Sequence, residues 1–105
     1  MFGDLLGNME AQQAKMREEL AAIIVEAEAG DGAVRVTANA ARVILNIALD
    51  REKLDPNDAE QLEDLITVAV NRALTLAAEQ EAAAAQEMLK KMMPPGMDGL
   101  PNLFG

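Results

Sequence analysis

The side chains able to do chemistry in this chain are almost all carboxylates and cations: 18 Asp and Glu against 9 Lys and Arg, for a formal net charge of −9. His, Cys, Ser, Tyr and Trp are absent, and the hydroxyl-bearing residues are Thr37, Thr67 and Thr75. Ser, Cys and His nucleophiles, a His general base, and zinc sites built on thiolate or imidazole are therefore excluded. So is a disulfide. The acidic group Asp50, Glu52, Asp55, Asp58 and Glu60 could be read as a divalent-cation site. It lacks the spacing and central Gly of a calcium loop, and acids are favoured before and within the first turn of a helix, so capping accounts for it. No metal, no cofactor, no catalytic residue and no small-molecule substrate is expected; the chain does not read as an enzyme.

The cations carry more information, because they are unevenly placed. Residues 1–29 have net charge −4, residues 30–53 net +1, and residues 54–105 net −6. Binding to a nucleic acid draws on phosphate neutralisation by a basic face, and here only the central segment is not acidic, so composition alone argues against it. Aromatic residues for stacking on single strands are nearly missing, with two Phe in the chain.

The elements that must position these residues follow from periodicity. Phe2, Leu6, Met9, Gln13, Met16, Leu20, Ile23 and Ala27 keep a 4-3 spacing, a coiled-coil-like stripe interrupted by one polar residue. This predicts a first helix ending near Ile23, with Gly3 and Gly7 casting doubt on its first turns and Asn8 available as the cap of a shorter version. Alternation over 24–29, the Gly30-Asp31-Gly32 turn, and alternation again from Val34 to Ala38 predict a hairpin. A third strand follows in which Val43, Leu45, Ile47 and Leu49 share one face and Ile44 and Ala48 the other, so it is expected to be more covered than its neighbours.

After a polar connection, Asn57 as cap and Glu60 three residues on predict a second helix running to Pro94. Its length of about 36 residues, or roughly 54 Å, exceeds the ~33 Å breadth of a compact domain of this size, so it must overhang. Leu62, Leu65, Ile66, Ala69, Ala73 and Leu76 give it an apolar face, while 77–87 has no large hydrophobe. The reading is an α+β domain over 1–93, ordered α-β-β-β-α with an antiparallel sheet, and a flexible Pro/Gly-rich tail over 94–105. Two helices too long for one small sheet call for a second copy. Val43, Leu45, Ile47, Leu65, Ala69 and Leu76 are the candidate dimer contacts. The start has no signal-peptide pattern and no run is long enough to cross a membrane, which points to the cytoplasm.

Several segments together resemble one family. These are 32–39 (Gly-Ala-Val-Arg-Val-Thr-Ala-Asn), the strand 43–50, Glu63-Asp64-Leu65-Ile66 followed by Ala69-Val70-Asn71-Arg72-Ala73, Pro94-Pro95-Gly96, and the opening Met1-Phe2-Gly3 with a Gln- and Met-containing first helix. In this order, over nearly the whole chain, they are similar to the YbaB/EbfC family of bacterial nucleoid-associated proteins. The resemblance implies a tweezer-like homodimer with projecting helical arms, located in the nucleoid. It also implies binding of double-stranded DNA with little sequence preference, through contacts on the arms, and effects on DNA conformation or gene expression. The arm positions here are mostly acidic or Ala, so the candidate contacts under this resemblance are the few arm bases, Lys15, Arg17, Arg72, Lys90 and Lys91, or the sheet bases Arg35 and Arg42. The other reading of the residues is an acidic helical interaction module, chaperone-like or a scaffold, in which Met88, Met92, Met93, Met97 and the tail engage another protein.

Overall fold

The structure is a computed structural model, and it describes residues 2–92. The order is α1 (Phe2–Ala21), β1 (Ile24–Ala29), β2 (Val34–Asn39), β3 (Ile44–Leu49) and α2 (Ala59–Met92), the α-β-β-β-α arrangement that the periodicity predicts. Expectations for 94–105, and for Met93 and Met97, lie outside the described residues.

Helix α1 runs through Gly3, Gly7 and Asn8 rather than starting at Asn8. Each glycine costs about 1 kcal/mol relative to Ala but, unlike Pro, blocks no turn, and a Cβ at either position would meet nothing outside the helix's own backbone within 4 Å. The helix closes with Ala22 N donating to Glu18 O and Glu19 O and Ile23 N to Leu20 O, so β1 begins at once.

The sheet is antiparallel in the order β1-β2-β3. Its first hairpin turns at Gly30–Ala33, where Ala33 N donates to Gly30 O at 3.1 Å. Asp31 (φ 59°) and Gly32 (φ 89°) both have positive φ, as a type I′ turn requires. The second hairpin contains an irregularity that the alternation does not show. Thr37 pairs with Asn46 but Ala38 with Ile44, which leaves Leu45 as an extra residue in β3. The bulge moves Ile44 to the face that meets the core, correcting the expected grouping of Ile44 with Ala48.

Helix α2 lies across β1 and β2. Ala69, Ala73 and Ala77 are fully buried against Val25, Ala29, Val34, Val36 and Ala38, with Leu62, Leu65, Ile66 and Val70 packed around them. Small residues at every fourth position let the helix sit close to the sheet, and Val34 and Val36 are the largest fully buried side chains. The expected cover over β3 is not there. As the edge strand beyond α2 it is the most exposed of the three, with five of its six residues open. The cap of α2 is Asp58, whose Oδ1 accepts from Gln61 N at 3.0 Å. The expected cap, Asn57, is held outside the helix by its own N–H donating to Asp55 Oδ1.

At 34 residues α2 is about 51 Å long, within a molecule of 62 × 39 × 17 Å whose radius of gyration, 19.8 Å, far exceeds the ~13 Å of a compact domain of this size. Past Ala77 it leaves the sheet and meets α1. Residues Met16 and Leu20 face the stretch from Glu81 to Met88, and residues 3–15 of α1, before Met16, are all exposed. The two helices form an arm.

Candidate nucleic-acid interface

The seven candidate cations divide into three that are partnered within the chain and four that are not, among the described residues. Arg35, on the sheet face away from α2, lies 3.9 Å from Glu26 and 3.6 Å from Glu28 across the hairpin. Arg72 donates to the main-chain oxygen of Glu28 at 2.8 Å and ties α2 to the edge of β1. Arg42 meets Glu81 of α2 at 3.0 Å. All three are exposed and each already has a partner within the chain.

The arm cations differ. Lys15 of α1 and Lys91 of α2 border one groove of about 520 Å³ together with Gln12, Met16, Glu19, Ala84, Glu87 and Met88. Lys15, Arg17, Lys90 and Lys91 form no ion pair within 4 Å among the described residues. Arg17 borders a second groove, about 690 Å³, between α1, the β2–β3 turn and α2, lined also by Leu20, Asn39, Val43 and Glu81. Lys90 is exposed in the last turn of α2, where a cation complements the helix dipole.

The β2–β3 turn that presents Arg42 is built around Asn39, the one buried polar side chain among the described residues, at 5% exposure. Its Oδ1 accepts from Ala41 N at 3.0 Å and from Val43 N at 3.1 Å. Arg42 adopts φ 64°, a left-handed backbone costing on the order of 1 kcal/mol, and the Asn39 clamp offsets that cost. Ala40 N, bonded to Leu20 O and Ile23 O, fastens the turn to the end of α1. One short loop thus joins the bases of both arm helices. Sequence reasoning missed this junction and Glu81 as the partner of Arg42; the Asn39-to-Val43 spacing hinted at a turn, but nothing in it identified α2 as the neighbour.

The acidic group is spent on local structure. Asp50 Oδ1 accepts from Glu52 N, and Asp55 and Asp58 accept from Asn57 N and Gln61 N. Among the described residues no group of three or more His, Cys, Asp or Glu could hold a metal ion, and no helix is long and apolar enough to cross a membrane.

The candidate dimer contacts also separate. Val43, Leu45 and Ile47 are 50%, 49% and 42% exposed along the free β3 edge, with Leu49 beside them at 45%. Leu65 packs on the core, its methyl carbons 2.9 and 3.0 Å from where a Cβ on Gly30 would be, and Ala69 is fully buried under the sheet; both are occupied within their own chain. Leu76 is half-exposed on the opposite flank of α2, in a groove of about 690 Å³ with Val68 and the edge of β1.

The model of the YbaB/EbfC DNA-binding family matches residues 2–92, all of both helices and the sheet. The chain belongs to that family. Its relatives include a nucleoid-associated protein of Thermodesulfovibrio yellowstonii, 43% identical with 100% of this chain and 95% of that protein covered. One of Chloroflexus aurantiacus is 41% identical over 91% of this chain and 88% of its own length. A crystal structure of an uncharacterized protein from Helicobacter pylori superposes with a TM-score of 0.66 at 24% identity, covering 84% of this chain and 92% of that one, which shows a shared fold. For a YbaB/EbfC member this chain is acidic, with net charge −9, and Lys15, Arg17, Lys90 and Lys91 of its arm have no ion pair among the described residues.

Proposed function

We propose that this protein binds double-stranded DNA as a homodimer with little sequence preference, changes the conformation of the DNA or the expression of its genes, and acts in the nucleoid of the cytoplasm without catalysing a reaction. The observation that carries this reading is the arm. Lys15 and Lys91 come from opposite ends of the chain to one groove, and with Arg17 and Lys90 they have no carboxylate partner within 4 Å among the described residues. Unpaired cations on a projecting support suit phosphate, a ligand that every sequence offers equally. Sheet cations already paired with Glu26, Glu28 and Glu81 contribute less, because binding through them must first break a pair.

The dimer rests on β3. Its main-chain edge is free and its apolar side chains are half-exposed, the kind of surface that monomeric proteins blunt with charge and oligomers cover. A two-fold axis there would place two arms on one body and double each cluster of cations. Titration of two unrelated labelled duplexes of equal length should give matching affinities at ~50 mM salt. Absence of binding to either duplex at micromolar protein would overturn the proposal.

A further inference from the structure

The groove between α1, the β2–β3 turn and α2 is lined by one cation and one carboxylate, and a second cation reaches that carboxylate from the turn, an arrangement that DNA binding through the arm Lys residues does not need. Arg17 and Glu81 line it, with Asn39 at its floor. Arg42, at the tip of the turn, directs its guanidinium to Glu81 Oε1 at 3.0 Å. The backbone of Arg42 is held left-handed by the two hydrogen bonds to Asn39 Oδ1, so the pair joins a constrained loop to a rigid helix. Glu81 is one of three glutamates in the Ala-rich stretch 78–87, and it is the one of them with an ion-pair partner among the described residues.

We propose that this groove is a phosphodiester-binding site formed by Arg17 and Arg42, in which the Glu81 carboxylate takes the place of the phosphate until DNA displaces it. The proposal rests on the DNA-binding reading and adds a site and a brake to it. Chemically the exchange is simple: a carboxylate and a phosphodiester are both anionic oxygen acceptors for a guanidinium, and both can be met by its paired N–H groups. Side chains at the pair are 57% and 39% exposed, so water and a ligand can reach it and its intrinsic strength is modest. Breaking it subtracts from affinity at each protomer without preventing association.

The test is a charge-matched set of variants titrated with one labelled duplex at fixed low salt. Glu81→Gln should bind about three- to tenfold tighter than the wild type, since an exposed pair no longer has to be broken. Glu79→Gln removes the same charge two residues away, at an exposed glutamate with no ion pair among the described residues, and should change affinity by less than about twofold. In an Arg42→Gln background the gain from Glu81→Gln should vanish. If the wild type binds and Glu81→Gln binds no better, or if Glu79→Gln gains as much, the brake is refuted while the DNA-binding reading stands. If neither the wild type nor Glu81→Gln binds, the DNA-binding reading falls and this proposal with it. Binding by Glu81→Gln where the wild type fails to bind would support the brake at this site while overturning the reading that the wild type itself binds DNA.

Discussion

Replacing Ile47 by Lys should separate the proposed dimer while leaving each chain folded. Ile47 is 42% exposed, and Val43, Leu45 and Leu49 are 45–50% exposed around it. Full burial of such a side chain contributes about 1.5–3 kcal/mol, so each has about 1 kcal/mol still to gain from a partner. Eight of them in a dimer make about 8 kcal/mol, near the binding free energy of a micromolar complex before the cost of association is subtracted. Main-chain pairing along the free edge must add to it. Ile47→Lys removes about 1 kcal/mol at each of two symmetry-related sites and brings an ammonium into each, for a combined loss of about 3 kcal/mol, or roughly a hundredfold in dissociation constant. The isolated chain should tolerate the change, because Lys is common on exposed edge strands. Light scattering with refractive-index detection suits a chain without Trp or Tyr, with Thr67→Lys on the exposed face of α2 as the control. The wild type and the control should have twice the 11.2 kDa chain mass, and Ile47→Lys should fall toward one chain on dilution. A wild type of single-chain mass, or an Ile47→Lys protein that stays dimeric over the same dilutions, would refute the reasoning.

Three further substitutions, with Asn57→Ala as a comparison, test the supports of the arm. Asp58→Ala removes the side-chain acceptor for Gln61 N and should cost about 0.5–2 kcal/mol in urea denaturation, whereas Asn57→Ala should cost much less. Asn39→Ala leaves Ala41 N and Val43 N without their acceptor and frees the Arg42 turn, so a loss of about 2–3 kcal/mol is expected. Ala73→Leu forces a large side chain between α2 and the sheet at a fully buried position, and thermal denaturation should show a loss of about 1–3 kcal/mol or more.

Much of the fold is legible in the sequence because its signals are local. The change from 3.6-residue to two-residue periodicity near Ile24, the Gly30-Asp31-Gly32 turn and the unbroken run before Pro94 mark the elements within a few residues of their observed ends. The misplaced details depend on atoms brought together by the fold. Simple alternation cannot reveal that Leu45 is a bulge, since the shift shows only in the pairing with Thr37 and Ala38. Exposure of β3 could not be read from its apolar content, because a strand made for a partner has the same composition as one made for a core. At the candidate site the cations are visible as residue types, but their partners are not: Arg42 and Glu81 are 39 residues apart and Arg72 and Glu28 are 44 apart. Distinguishing the unpaired Lys15 and Lys91 from the paired Arg35 and Arg42 therefore required the structure.

The central claim is that an acidic protein binds DNA through a small set of unpaired cations, and the salt dependence of duplex affinity tests it most directly. With even two of the four unpaired arm cations of each protomer on phosphates, four contacts in the dimer, affinity should fall at least about a hundredfold between ~50 mM and ~200 mM salt. Affinity unchanged over that range, or no binding at the lower salt, would contradict the account.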